Sequence, residues 1–329
     1  MYHCSPTNNA DTERYSLTAR TTSKRKISKR KIIIAACTGG ALLAVSPLVA
    51  QAAAPPPPTV AAKGAALLDA SSGEKVFGKA DNTVRPLAST TKLAVASVVL
   101  DTKGVNLEQQ VPVKQEYRDY VTEHEASTAD LQTGDKVTVN QLLYAALLPS
   151  GADAAYALAD TFGEGDTPAE RSESFIGKMN KKADDLGLTK TEFKTFAGIS
   201  SKDVSTPLEL AKLAKHNMEN ATFREVVKTK EYKGDAPAEN GGTRHYTWTN
   251  TNQLLGSYKG VVGIKTGTTT PAGPCLVFAA TRGDTTLVGT IQNSKDRYAD
   301  AAKILDYGFD SDSAEDMKLR KLPSGAQTD

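Results

Sequence analysis

Four serines in this 329-residue chain have a lysine three positions on: Ser23/Lys26, Ser28/Lys31, Ser72/Lys75 and Ser89/Lys92. A serine hydroxyl is a weak nucleophile until a base takes its proton, and an amine one helical turn away can be that base. The spacing is common, so the surroundings must discriminate. Two pairs lie in a basic leader and a third straddles a Gly-containing turn. Only Ser89/Lys92 leads into an apolar run, residues 93–100, that reads as a helix. There a hydroxyl, an amine and a positive helix end would meet. Two later stretches can join them: Ser150-Gly151-Ala152 with a second hydroxyl and Lys265-Thr266-Gly267 with a second ammonium.

The other chemistries find little material. The four histidines, His3, His124, His216 and His245, have no partner spacing that suggests a triad. No His, Cys and carboxylate cluster suggests a metal, and the serine chemistry needs no cofactor. Lys92 is therefore the expected base. A free amine has a pKa near ~10.4, so burial and a nearby positive charge would have to lower it.

The helix after Ser89 is apolar nearly all round, which marks it as central. Thr138-x-x-Gln141 forms a capping box ahead of the stripe Leu142, Leu143, Ala146 and Leu147. Pro149 stops that helix, and Ser150-Gly151 bridges to another over residues 152–162. Further helices are expected at 174–186, 207–217 and 223–230, which makes the middle of the chain a helical block. Residues 65–77 read as a hairpin. Strands follow at 260–266, 275–281 and 285–291, with a turn at Arg282-Gly283-Asp284. Tyr298, Ala302, Leu305 and Phe309 give a closing helix. Strands at both ends with helices between predict an α+β fold: one antiparallel sheet from N- and C-terminal strands, flanked by helices, with the helical block inserted. Strand alternation puts Gly263, Lys265 and Gly267 on one face, where two glycines leave room for a peptide along the strand edge.

Residues 1–52 stand apart. Lys24-Arg25-Lys26 and Lys29-Arg30-Lys31 precede an uncharged apolar run at 32–50, and Ala50-Gln51-Ala52 supplies a small-x-small cleavage pattern. This reads as a secretory signal with a long basic n-region; an uncleaved membrane anchor is the rival reading. The organisation expected is signal peptide 1–52, Pro-rich linker 53–62, catalytic domain 63–310 and a polar, frayed tail 311–329. The leader holds eight of the 40 Lys/Arg and two of the 38 Asp/Glu, so the remainder carries 32 basic and 36 acidic groups, net −4. The pI of 8.2 thus belongs to the leader and is no argument for nucleic acid. Of three cysteines only Cys275 lies beyond it, in an apolar strand where a buried small hydrophobe is expected.

Three longer strings extend the pattern: Pro86-x-Ala88-Ser89-Thr90-Thr91-Lys92, Leu147-Leu148-x-Ser150-Gly151-x-Asp153-Ala154-Ala155 and Gly263-Ile264-Lys265-Thr266-Gly267-Thr268-Thr269. In this order the sequence resembles the serine-type D-Ala-D-Ala carboxypeptidases, low-molecular-weight penicillin-binding proteins of the penicillin-recognising serine enzyme superfamily. The resemblance spans residues 65–309 and implies a β-lactamase/transpeptidase-like fold. It implies an exported, cell-wall enzyme that removes the terminal D-Ala from peptidoglycan pentapeptide stems through a Ser89 acyl-enzyme, and that β-lactam antibiotics acylate and inhibit. In that arrangement Ser150 relays a proton to the departing amine. Lys265, Thr266 and Gly267 bind the substrate's D-Ala end, and the backbone N–H groups of Ser89 and Thr268 form the oxyanion hole.

One departure is Ala152, where the common pattern has asparagine; a methyl cannot hydrogen-bond substrate. Altered rate or substrate range with retained activity is expected. The same acyl-enzyme would serve a DD-transpeptidase if an amine replaced water. A class A β-lactamase would need Glu-x-x-x-Asn after the second motif, where Glu170-Arg171-Ser172-Glu173-Ser174 stands instead. A non-catalytic module that binds muropeptides or β-lactams has Ala152 as its support.

Overall fold

The computed structural model describes residues 56–327, so the signal-peptide reading lies outside the described residues. Strand β1 (Gly64–Asp69) turns into β2 (Lys75–Lys79) through Gly73, whose φ of +73° suits the turn. The Asp69 carboxylate accepts from the amides of Ser71 and Ser72 and closes this turn. Short β3 (Arg85–Pro86) then leads into a 3-10 turn, Ala88–Thr91, and helix α1 (Lys92–Leu100). Every α1 residue from Lys92 to Val99 is buried, as its all-round apolar sequence requires.

The block that follows holds β4 (Gln110–Pro112), α2 (Gln115–Glu123), β5 (Lys136–Thr138), α3 (Val139–Leu147), α4 (Ala152–Phe162) and α5 (Pro168–Asp185). After β6 (Val204–Ser205) come α6 (Pro207–Asn217) and α7 (Ala221–Lys228). The Thr138/Gln141 capping box is present at α3. A second one, Thr167/Glu170 with Pro168 at the first turn, starts α5 six residues before the expected 174. Helix α2 and the hairpin β7 (Glu231–Pro237) with β8 (Thr243–Thr249) have no counterpart in the sequence reading.

The chain returns to the first sheet as β9 (Val261–Thr269), β10 (Gly273–Arg282) and β11 (Thr285–Gln292), and closes with α8 (Arg297–Phe309). The sheet order is β2-β1-β11-β10-β9, all antiparallel, so β1 pairs with β11 and the two ends of the domain meet. Alternation gives each face its own core. Leu67, Phe278, Leu287 and Ile291 pack with Ala301, Ile304 and Leu305 of α8. Val277, Ala279 and Val288 join Leu93, Leu143 and Leu158 of the helical block on the other face. Each fully buried Val, Leu, Ile or Phe side chain among these contributes about 1.5–3 kcal/mol. Among the described residues, no helix is long and apolar enough to cross a membrane.

Two points of the polar tail, where fraying was expected, are hydrogen-bonded to the domain. Arg282 donates to the hydroxyls of Ser311 and Ser313, and Arg320 is hydrogen-bonded to the loop 250–257.

Candidate active site

Ser89 lies in the 3-10 turn ahead of α1, half-buried, and Lys92 is the first residue of the helix. Lys92 Nζ donates to Ser89 Oγ at 3.1 Å and to the Ala197 carbonyl at 3.2 Å. Lys92 as a residue is 1 % exposed, and Ser89 at the other end of the bond is half-buried. The turn is held from two sides. Ala88 has φ +50°, a conformation that costs a non-glycine residue about 1–3 kcal/mol. Leu87 N–H donates to Asp203 O, and Gly198 lies so close that a Cβ there would sit 1.9 Å from the Ala88 carbonyl oxygen.

The loop that carries Ala197 and Gly198 is organised by the Asp203 carboxylate. It accepts from the amides of Lys194, Thr195 and Ser200 and from the Thr195 hydroxyl. Burial pushes the Asp203 carboxyl above the usual carboxylate range in spite of those donors.

Ser150 lies between α3 and α4, fully buried, with φ +69°. Its Oγ has no hydrogen-bond partner among the described residues, an exception that calls for a reason in a native interior. Asp153, three residues on, accepts from the amides of Ala129 and Leu131 and from the Thr128 hydroxyl. It ties the second motif to the segment 128–131.

Strand β9 is the free edge of the sheet and lies against the nucleophile turn. A Cβ on Gly267 would fall 2.8 Å from Ser89 N and 3.0 Å from Thr90 N, so only glycine permits this approach. Lys265 and Thr266 are buried at 1 % and 0 %. Lys265 Nζ donates to the Thr266 carbonyl at 2.9 Å, and the hydroxyls of Thr266 and Thr251 are 2.5 Å apart. Thr268 is exposed.

Ser89, Lys92, Ala152 and Thr268 line one cavity of about 150 Å³ together with residues 124–127 and 197–199. His124, which sequence spacing set aside, stands at this rim with its ring 4.4 Å from that of Tyr120. It makes no hydrogen bond to Ser89 among the described residues. His216 and His245 pair instead with Asp101 and Asp235, both 2.7 Å away. A larger hollow, about 410 Å³ between α6, α7 and the strand ends, lacks any nucleophile–base pair. Cys275 is fully buried, and burial pushes its thiol up to about 11, so it behaves as the small hydrophobe its strand suggested.

Arg297 escaped the sequence reading. Its guanidinium donates to Thr268 Oγ1 at 3.1 Å and to the carbonyls of Cys275 and Gly267 at 3.2 and 3.4 Å. It pins the end of β9 to β10, and one arginine at a helix start carries no sequence signal of that role. Asp153 could have been found: it stands in the longer second string, and a buried carboxylate beside a loop wants amides to cap.

The pattern of the family described as D-alanyl-D-alanine carboxypeptidase matches residues 50–296. The D-alanyl-D-alanine carboxypeptidase of Streptomyces sp. strain K15 is 48% identical over 251 residues, 75% of this chain and 86% of that one. A relative of the same description from Mycobacterium tuberculosis is 33% identical over 250 residues, 73% of this chain and 80% of that one. The crystal structure of the Streptomyces K15 DD-transpeptidase superposes with a TM-score of 0.76 at 49% identity, covering 78% of this chain and 99% of that chain. The carboxypeptidase structure from Mycobacterium tuberculosis gives 0.69 at 29% identity, covering 82% and 98%. These likenesses span both the sheet and the helical block, and the chain belongs to the D-alanyl-D-alanine carboxypeptidase family.

Proposed function

We propose that this chain is an exported serine peptidase that removes the terminal D-Ala from peptidoglycan pentapeptide stems through an acyl-enzyme on Ser89. The observation that carries the reading is the 3.1 Å hydrogen bond between Lys92 Nζ and Ser89 Oγ at the floor of a cavity bounded by β9. Lys92, hydrogen-bonded to Oγ, takes the Ser89 proton as Oγ attacks the carbonyl of the penultimate D-Ala. The oxyanion that forms is met by the backbone N–H groups of Ser89 and Thr268; one such donor is typically worth ~2.7–4 kcal/mol. Collapse breaks the C–N bond, and Ser150 passes the proton to the departing amine. Its buried, unpartnered hydroxyl suits a relay that finds its partner only when substrate arrives. Lys265 and Thr266 hold the terminal carboxylate, with Gly267 giving the peptide access to the strand edge.

Water attacking the ester completes a carboxypeptidase cycle. The structural relative's name, DD-transpeptidase, favours a second fate in which a peptide amine attacks. A β-lactam would occupy the same place and leave a slowly hydrolysed ester. Residues 63–310 would carry this chemistry, residues 53–62 would act as a linker, and residues 1–52 would direct export.

The test is D-Ala release from a D-Ala-D-Ala-ended peptide, with and without an added amine acceptor, and the mass of the protein after penicillin. Ser89→Ala is expected to lower release at least about a thousandfold and to abolish the mass increase. Release at the parental rate from Ser89→Ala would overturn the mechanism. Trapping of a transferred product with the acceptor would move the balance to transpeptidation.

A further inference from the structure

Beyond the site itself, the tail carries an arginine placed to control it. Arg320 Nη2 donates to the carbonyl of Asn250 at 2.5 Å and of Asn252 at 3.1 Å, and Nε donates to Leu255 O at 3.2 Å. Its backbone N–H donates to Ser257 Oγ at 2.6 Å, and its carbonyl accepts from Gln253 Nε2 at 2.9 Å. Five bonds thus bind one tail residue to the loop 250–257. Its charge is met by backbone carbonyls, a fan that the planar guanidinium can fill and an ammonium cannot.

The loop it grips touches both halves of the site. Thr251 N–H donates to Leu148 O at 3.1 Å, two residues before Ser150. The Thr251 hydroxyl meets that of Thr266 at 2.5 Å, and its carbonyl accepts from Tyr298 O–H at 3.2 Å. Tyr298 is in turn the partner of Arg297, which holds Gly267 and Thr268. We infer that Arg320 is a positioning residue: the C-terminal tail clamps the loop 250–257 so that Thr251 fixes the second and third motifs relative to each other. This inference rests on the functional reading above for its kinetic consequence, but not for its structural one.

Two measurements test it on Arg320→Ala, Arg320→Lys and a chain ending at residue 319, with Ser313→Ala as a control that loosens only the upstream tail. Amide hydrogen exchange is expected to accelerate at least about tenfold at 250–257 and also at 265–268 in Arg320→Ala, with the sheet strands β1 and β11 unchanged. Penicillin acylation of Ser89 should fall about ten- to a hundredfold, since displacements near 1 Å cost that much, while hydrolysis of the preformed ester stays within about twofold. Arg320→Lys should recover part of the loss, the truncation should match Arg320→Ala, and Ser313→Ala should keep the parental rate. Faster exchange confined to 250–257, with 265–268 and acylation at parental values, overturns the clamp, as does a loss fully accounted for by the unfolded fraction. If the parent itself takes no penicillin at Ser89, the functional reading fails, and exchange at 265–268 still decides the clamp.

Discussion

At the scale of single residues, the site is built by close approach as much as by reactive groups. Beside the hydrogen-bonded pair Ser89 and Lys92, only a glycine at 267 lets the strand edge come within contact of the Ser89 amide. Ala152 shows the same economy from the other side. It is the first residue of α4, 1 % exposed, and lines the cavity with Ser89 and Lys92. Its methyl contributes shape and no hydrogen bond. Ala152→Asn is expected to raise kcat/KM for a D-Ala-D-Ala-ended peptide about two- to tenfold, the value of one added hydrogen bond, with little change in Tm. A parent without activity and an active variant would mean that Ala152 silences the site; a variant that no longer takes penicillin would mean the cavity has no room for the amide.

At the scale of elements, buried carboxylates join helices that the sequence leaves separate. Asp160 on α4 accepts from Lys114 Nζ at 2.6 Å, from Tyr117 O–H at 2.6 Å and from Arg171 Nε at 2.7 Å, and so binds α2 and α5 to α4. Burial alone would raise its pKa, but the bonds from Lys114, Tyr117 and Arg171 outweigh it and hold the carboxyl below its ordinary 3.8. Because the folded value lies below the unfolded one, the stabilisation is complete above about pH 4 and is lost as pH falls through the folded value. Asp160→Asn should therefore cost about 2–4 kcal/mol in denaturant unfolding at pH 7, the Lys114 side being the weaker because that chain is 40% exposed. The gap between variant and parent should narrow as pH falls below about 4. An equal gap at pH 7 and pH 3 would show that the pair's charge is not what stabilises the block.

At the scale of the whole molecule, the site depends on a sheet that closes late in the chain. Strand β1 pairs with β11, which follows the helical block in the chain, and β9, with the third motif, is the edge strand on that side of the sheet. Cys275 reports on this assembly. It faces Gly267 across the β10–β9 ladder and packs with Ala88 and Ala272 under the nucleophile turn. Buried and with its thiol at about 11, it should resist a thiol reagent at pH 8 in the folded protein and react at the rate of global unfolding. The measurement is labelling of a chain lacking residues 1–52, followed by mass, across a denaturant series. Labelling that is fast and independent of denaturant would show that β9 opens from β10 on its own.

What the sequence alone determined was the inventory and order of reactive groups and the elements that carry them. Ser89 before an apolar helix, Ser150 after a proline-stopped one and Lys265 between glycines are local patterns, and local patterns follow from caps, periodicity and turn chemistry. The α+β class followed from the same signals. Helix α2 and the β7–β8 hairpin were not legible: α2 is polar and mostly exposed, and β7, Glu-Tyr-Lys-Gly-Asp-Ala-Pro, carries glycine and proline in an exposed strand. Only the tertiary structure decided which residues hold the site in place. Gly198 against Ala88, Thr251 between Leu148 and Thr266, Arg297 on the end of β9 and Arg320 on the loop 250–257 act through backbone carbonyls and close approach across long stretches of chain. A backbone carbonyl has no residue type, so such partners leave no pattern in a sequence until the fold brings them together.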